Sequence, residues 1–121
     1  MRKLNYALAI NEALHQMMEA DESVFLMGQG VKSPWYVGDT AKGLLERFGP
    51  DRVIDTPVSK NAMTGAAVGA AIVGMRSVVV HPRMDFMMYA FDPIINEAAN
   101  YPFKPKAILG NSLAPICPFS P

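Results

Sequence analysis

The sequence predicts an α/β fold in three layers, in which a mostly parallel sheet lies between helices on both of its faces. Residues 24–27 and 78–80 are unbroken apolar runs, which are typical of parallel strands buried on both faces. The first run marks the first strand, and the second run belongs to a third strand at residues 77–81. Between them, residues 52–55 are predicted to form a short second strand. Helical patterns separate the strands, which predicts strand–helix–strand units with right-handed crossovers. We expect this domain to occupy residues 1–100 and its sheet to be incomplete at the carboxyl end.

The first helix is predicted at residues 6–20, because apolar residues recur there at spacings of three and four. These residues are Ala7, Ile10, Leu14 and Met17. Asn5 can cap the start of this helix, and His15 is interpreted as an ordinary residue on its surface.

Gln29 follows the first strand and stands between Gly28 and Gly30. In open α/β sheets, ligands bind beyond the carboxyl ends of the strands, so Gln29 is placed where it can face one. The alternative is a tight turn in which the glutamine has no role, and both interpretations stay open.

A loop is predicted at residues 31–40. Its adjacent Trp35 and Tyr36 can meet a partner or fold back on the core, and the sequence favours neither. Thr40 is the expected cap of a short helix at residues 41–48.

A helix of small residues is predicted to begin after Ser59, whose hydroxyl can accept a hydrogen bond from a free backbone N–H group of the first turn. Pro57 disfavours an earlier start, and Gly74 stands where a carboxyl-terminal cap belongs. Between them lie glycines and alanines, namely Gly65, Ala66, Ala67, Gly69, Ala70 and Ala71. Glycine costs about 1 kcal/mol relative to alanine inside a helix, so we expect another group to approach this backbone closely.

The last predicted helix covers residues 85–100 and contains Pro93. Either one helix kinks at this proline, or Asp92 caps a second helix that begins with it. The segment is apolar around most of its circumference, and a chain of 121 residues has little core in which to bury it. Part of it is therefore expected to form a subunit contact.

Residues 101–121 differ in kind, because they contain half of the ten prolines. Apart from a short run at residues 107–109, they show no helical or strand period. We expect a proline-rich irregular tail that contributes little to assembly.

Composition excludes several classes of function. The 11 basic and 11 acidic residues balance, whereas a nucleic-acid-binding domain carries a basic excess. No apolar run approaches the roughly 20 residues of a membrane span, and the start of the chain lacks the apolar region of a signal peptide. Cys117 is the single cysteine, which precludes an internal disulfide and is compatible with a reducing compartment.

The longest motif lies at residues 55–71, which read DTPVSKNAMTGAAVGAA, and GMR and MDF follow at residues 74–76 and 84–86. This pattern resembles the beta subunits of thiamine-diphosphate-dependent 2-oxo acid dehydrogenases of the pyruvate, acetoin and branched-chain types. The similarity is to the pyrimidine-binding domain that they share with transketolase, and it covers residues 4–100. It implies a thiamine-diphosphate-binding fold that is truncated at its carboxyl end, and it favours one kinked helix through Pro93.

The resemblance also implies how the cofactor is held. In the family a glutamate follows TPVS, and its carboxylate bonds to the aminopyrimidine ring and promotes loss of the thiazolium proton. This chain has Lys60 at that position, which reverses the local charge and cannot accept the proton. Val58 and Phe86 match neighbours of the pyrimidine ring, with core packing as the alternative for Phe86. Gln29 stands where many members have an acidic residue near the cofactor.

The diphosphate end needs a magnesium site, for which the family uses a Gly-Asp-Gly motif that this sequence lacks. The resemblance implies that an alpha subunit supplies the diphosphate site and the magnesium ion, so that the active site lies between chains. It also implies a lipoyl acyltransferase as acyl acceptor, a homo- or hetero-oligomer, and a cytoplasmic location, or the mitochondrial matrix in a eukaryote.

Two classes of function follow. One is an enzyme subunit that takes part in oxidative decarboxylation of a 2-oxo acid, and the family pattern favours it. The other is a non-catalytic or inactivated relative that acts as an assembly partner, which Lys60 and the missing end of the domain favour. An enzyme with a transketolase-type domain is a third alternative, whose motif usually differs. We expect the chain alone to be inactive.

Overall fold

The computed structural model describes residues 3–100 and 114–116 of the chain. The helices are α1 (Tyr6–Ala20), α2 (Pro34–Val37), α3 (Leu44–Phe48), α4 (Lys60–Ile72) and α5 (Met84–Met87). The strands are β1 (Val24–Gln29), β2 (Val53–Thr56), β3 (Arg76–Val80) and β4 (Ala114–Ile116). Asn5 caps α1 as predicted, because its Oδ1 accepts a hydrogen bond from the Leu8 N–H group at 2.8 Å. In the part of the chain that the structure describes, no helix is both long and apolar enough to cross a membrane.

The strands pair in parallel in the order β2-β1-β3-β4. Strand β1 is central, since Leu26 pairs with Val53 on one side and with Val78 on the other. Every residue of β1 is buried, as the unbroken apolar run predicted. The α/β fold with a parallel sheet is thereby confirmed.

Two buried clusters lie on opposite faces of the sheet. One joins α1 to alternate residues of β1, and it includes Leu14, Met18, Val24 and Leu26. The other joins α4 to the intervening residues, and it includes Phe25, Met27, Met63 and Ala67. Because successive side chains of a strand point to opposite faces, α1 and α4 cover the two sides of the sheet, which gives the predicted three layers.

The segment between β1 and β2 is more helical than predicted. Helix α2 and a 3-10 helix at Gly38–Ala41 occupy much of the expected loop at residues 31–40. The predicted helix start at Thr40 is wrong, because α3 follows Gly43, whose φ of +76° interrupts the helix. Thr40 Oγ1 instead donates a hydrogen bond to the Val37 carbonyl oxygen.

Helix α4 begins after Ser59, as predicted, but the Ser59 hydroxyl makes no capping hydrogen bond. The close approach to its backbone occurs at Ala67, whose carbonyl oxygen accepts a hydrogen bond from Ser77 Oγ of β3 at 3.1 Å. It does not occur at the glycines: apart from adjacent residues and the helix's own backbone, no described atom lies within 4 Å of a Cβ placed on Gly65 or Gly69. The small side chain of Ala67 therefore allows α4 to approach β3, whereas Gly65 and Gly69 lie on an open surface of the helix.

Residues 84–98, here called the terminal helical segment, are helical throughout but irregular. The segment consists of α5, a 3-10 helix at Met88–Ala90 and a π-helix at Pro93–Ala98. Asp92 keeps helical backbone angles and makes no capping hydrogen bond, which excludes a second helix capped by that residue. The backbone widens from Pro93 onward, where the missing proline N–H group interrupts the normal bonding pattern.

Residues 114–116 contradict the expectation of a tail without strands. They pair in parallel with β3, with Val78 opposite Ala114 and Val80 opposite Ile116. Residues 114–116 therefore add a strand at the outer edge of β3. The apolar run at residues 107–109 lies outside the described residues.

Candidate functional site

A cleft of about 700 Å³ lies beside the carboxyl end of β1. Its walls come from the end of β1 with α2, from the loop and first turn of α4, and from α5 with the 3-10 helix that follows it. The lining residues are Gln29, Tyr36, Val58, Ser59, Lys60, Asn61, Phe86 and Tyr89. All four residues selected from the sequence belong to this set, namely Gln29, Val58, Lys60 and Phe86.

Lys60 is only 8% exposed. Its Nζ donates a hydrogen bond to Gln29 Oε1 and lies 5.4 Å from the centroid of the Phe86 ring. Neither of these partners carries a negative charge. Burial lowers the pKa of Lys60 below its ordinary value, because the charged form loses hydration.

Phe86 is 39% exposed and belongs to the wall of the cleft, so ordinary core packing is the wrong interpretation for this residue. Its ring attracts a second cation, since Arg83 Cζ lies 5.6 Å from the ring centroid. Arg83 is itself paired with Asp85, with Nε and Oδ1 2.9 Å apart. Val58 is 75% exposed, which leaves its side chain free to contact a bound molecule.

The turn after β1 holds Gln29 in place. Gly30, with φ of +70°, donates its backbone N–H to Asp55 Oδ1 at 2.7 Å. Tyr36 packs directly on this glycine, because a Cβ at Gly30 would lie 2.5 Å from the Tyr36 Cγ atom. The two aromatic residues of α2 therefore differ: Tyr36 folds back to the cleft, whereas Trp35 is 91% exposed.

His81 is a polar residue near Lys60 to which the sequence assigned no role. It is fully buried after β3, with Nε2 3.4 Å from Thr64 Oγ1 and with no hydrogen-bond partner for Nδ1 among the described residues. Burial and, to a smaller extent, the positive charge of Lys60 lower the pKa of His81 from 6.5 to about 4. Its position directly after an apolar strand was the only signal that could have identified it.

No carboxylate lines the cleft within the described part of the chain. Two acidic residues that are close in sequence to lining residues are engaged elsewhere: Asp55 accepts from the Gly30 N–H group, and Asp85 pairs with Arg83. Residues 3–100 and 114–116 also contain no group of three or more His, Cys, Asp or Glu side chains that could hold a metal ion. The site therefore offers aromatic surface, a buried amine and amide groups.

Comparison with known proteins identifies the family. Residues 2–105 match the transketolase pyrimidine-binding domain. The chain belongs to this family. In this pyrimidine-binding domain, residues 55–60 of the long motif span the end of β2 and the first residue of α4, so the motif presents residues 58–60 directly to the cleft.

Several curated relatives are beta subunits of larger enzymes. The pyruvate dehydrogenase E1 component subunit beta-1, mitochondrial, of Oryza sativa subsp. japonica is 50% identical over 91 residues, which are 75% of this chain and 24% of that protein. The acetoin:2,6-dichlorophenolindophenol oxidoreductase subunit beta of Cupriavidus necator is 44% identical over 110 residues, which cover 83% of this chain and 32% of that protein. The 2-oxoisovalerate dehydrogenase subunit beta of Bacillus subtilis is 39% identical over 104 residues, which cover 86% of this chain and 32% of that protein. This domain thus spans about a quarter to a third of the length of these relatives.

The low pKa of His81 predicts a pH dependence of stability. Between about pH 6.5 and pH 4 the unfolded chain binds a proton that the folded chain does not, so the free energy of unfolding decreases as the pH falls through this range. The loss should reach about 3 kcal/mol, and well below pH 4, where both states bind the proton, this residue should contribute no further change. Urea unfolding at several pH values measures the free energy of unfolding and so its pH dependence.

His81→Gln should remove this part of the pH dependence, because glutamine does not titrate and can still bond to Thr64. His15→Gln, at the other histidine of the chain, serves as the control and should leave the pH dependence of stability between pH 6.5 and pH 4 unchanged. Equal slopes for the unmodified chain and His81→Gln would contradict the assignment.

Proposed function

We propose that this chain provides the pyrimidine side of a thiamine diphosphate site in a beta-type subunit of a 2-oxo acid dehydrogenase. The observation that carries the proposal is the convergence of Gln29, Val58, Lys60 and Phe86 on a single cleft. Its volume of about 700 Å³ lies within the range of about 300–1,000 Å³ that is usual for small-molecule pockets. The beta-subunit names of the relatives support the same assignment.

The cleft fits an aminopyrimidine ring in size and in the character of its walls. Phe86, Tyr36 and Tyr89 offer aromatic surface, and Lys60 and Gln29 offer hydrogen-bonding groups for ring nitrogens. The charge does not fit activation of the ring, because Lys60 occupies the position of the family glutamate and no described carboxylate replaces it. When bound, thiamine diphosphate would supply a nucleophilic carbon for decarboxylation, and this chain would hold its ring without activating it.

The diphosphate and magnesium ends of the cofactor are assigned to an alpha-type subunit. Within the described residues no metal-binding group is found, and the relatives are themselves beta subunits. In this arrangement the cofactor lies between the two chains, and a lipoyl acyltransferase accepts the acyl group. The corresponding location is the bacterial cytoplasm or the mitochondrial matrix.

Loss of the Phe86 ring is expected to weaken cofactor binding. Stacking of a base on an aromatic side chain contributes about 1–3 kcal/mol, so Phe86→Ala should raise the dissociation constant of thiamine diphosphate by a factor of roughly 5–150 in a complex with an alpha-type subunit. Isothermal titration calorimetry measures the constant. Tyr6→Ala is the control, because Tyr6 is also an exposed aromatic residue but belongs to α1, outside the terminal helical segment, and does not line the cleft. Equal weakening by both substitutions would contradict the proposed site.

A non-catalytic relative is the second candidate function, and Lys60 is the observation that favours it. An amine in place of the carboxylate that activation needs is compatible with a subunit that binds its partner and contributes no turnover. Under either candidate function, we expect the chain alone not to oxidise a 2-oxo acid. The two candidates differ in the complex, where only the enzyme subunit is expected to bind the cofactor.

The terminal helical segment is the proposed contact with the alpha-type subunit. Its large apolar side chains remain exposed, namely Met84, Phe86, Met88, Tyr89, Phe91 and Ile95. Exposed apolar patches of this kind mark protein–protein contacts. The segment borders the cleft through Phe86 and Tyr89, so a subunit bound there would also close the proposed cofactor site.

Ile95→Asp should disrupt this contact, since Ile95 is 52% exposed whereas Ile94 is half-buried against the rest of the chain. Placing a carboxylate in a central apolar contact should weaken association with the alpha-type subunit by at least about tenfold. Sedimentation velocity of the mixture gives the affinity. Tyr6→Asp, at an exposed residue of α1, is the control and should leave the affinity unchanged. Unchanged association of Ile95→Asp would show that another surface is used.

A further inference from the structure

Lys60 is an enclosed amine in a cleft that contains no described carboxylate. Its contacts are the neutral Gln29 Oε1 and the face of the Phe86 ring. The charged groups nearby do not neutralise it: Arg83 is positive and paired with Asp85, and His81 is neutral above about pH 4. A buried ammonium group without a counter-ion is unfavourable, because desolvation opposes the charged form.

Two effects act on the protonation of this amine. The Phe86 ring attracts the ammonium form, an interaction of about 0.5–2 kcal/mol. Burial acts in the opposite direction and determines the outcome, so the pKa of Lys60 is lowered. A lysine desolvated in an apolar pocket is the usual setting of a nucleophilic amine.

We propose that the cleft is a carbonyl-binding site in which Lys60 Nζ forms a Schiff base with a small aromatic aldehyde. The neutral amine attacks the carbonyl carbon and gives a carbinolamine. Loss of water then leaves a C=N bond in place of the C=O bond, and both amine protons leave with the carbonyl oxygen. The step needs no oxidant or reductant. Gln29 Oε1 positions the amine by accepting one of its N–H groups before the attack.

The walls of the cleft select the aromatic substituent. Phe86 lies beside the amine, and Tyr36 and Tyr89 complete an aromatic lining. A volume of about 700 Å³ accommodates a ring next to Nζ. Aromatic pairs contribute about 0.5–1.5 kcal/mol beyond simple burial, so an aryl aldehyde should react in preference to an alkyl aldehyde at this lysine.

Reductive trapping tests the proposal on the full chain. The chain is incubated near neutral pH with benzaldehyde and cyanoborohydride, which converts an imine to a stable benzylamine, and peptide mass spectrometry follows each lysine with time. Lys60 should be benzylated several-fold faster than Lys42, which is exposed and paired with Asp39. Modification of Lys60 at the rate of Lys42 or more slowly would overturn the proposal.

Two variants separate the cleft from general amine reactivity. Phe86→Leu should reduce the preference of Lys60 for benzaldehyde over acetaldehyde and leave Lys42 unaffected, whereas an unchanged preference would overturn the role of the aromatic wall. Lys60→Arg should abolish the fast adduct and retain the slow ones. Since neither thiamine diphosphate nor an alpha-type subunit is present, these outcomes are independent of the function proposed above.

Discussion

Lys60→Glu is expected to accelerate exchange of the thiazolium proton of thiamine diphosphate by a factor on the order of 10²–10⁴, the usual contribution of a positioned acid–base group. The measurement is proton exchange followed by NMR, in a complex of this chain with an alpha-type subunit. In the proposed site, a glutamate at this position would face the aminopyrimidine ring, and Gln29 can turn its amide to donate to the new carboxylate. In the chain alone no acceleration is expected, because in the proposed arrangement the alpha-type subunit holds the diphosphate end.

Lys60→Gln is the matched control for this experiment. It removes the positive charge and keeps a polar side chain of similar reach, but it supplies no carboxylate. Exchange in the Lys60→Gln complex should therefore remain close to that of the unmodified complex. Equal exchange rates for the lysine and glutamate forms would show that position 60 does not act on the ring, and equal acceleration by glutamine and glutamate would assign the effect to charge removal.

Gly28→Ala is expected to lower the free energy of unfolding by about 1–3 kcal/mol, the usual range for forcing an extra methyl group into a packed core. An alanine Cβ at this position would lie 2.5 Å from the Val80 carbonyl oxygen and 2.8 Å from Val80 Cβ. One of these atoms belongs to the backbone of β3, so rotation of a side chain cannot remove the clash. Urea unfolding of both chains measures the difference.

Gly65→Ala provides the matched control, since apart from neighbouring residues and helical backbone no described atom lies within 4 Å of the added Cβ. This substitution should stabilise α4 by about 0.5–1 kcal/mol, because alanine loses less conformational freedom than glycine in a helix. A neutral Gly28→Ala substitution would contradict the tight pairing of β1 with β3. Gly28 directly precedes Gln29, so displacement of β1 should also disturb the contact between Gln29 and Lys60.

The candidate site could be predicted where its residues belong to one local motif. Val58 and Lys60 lie within the long motif, and Gln29 follows an apolar strand at the edge where ligands bind. Tyr36, Tyr89 and His81 could not be predicted in the same way. Their places depend on how α2, the terminal helical segment and β3 pack together, and no periodicity along the chain encodes that packing.

The sequence by itself determined the α/β class, the parallel core strands and the small-residue helix. Each of these follows from a local property: an unbroken apolar run, a regular spacing or a capping position. Only the tertiary structure decided that β4 pairs with β3, because a three-residue strand containing Pro115 has no recognisable period. Only the tertiary structure likewise showed that Lys60 is buried without a described carboxylate. The protonation of an amine depends on the charges and water around it, and in this protein those surroundings come from three separate parts of the chain.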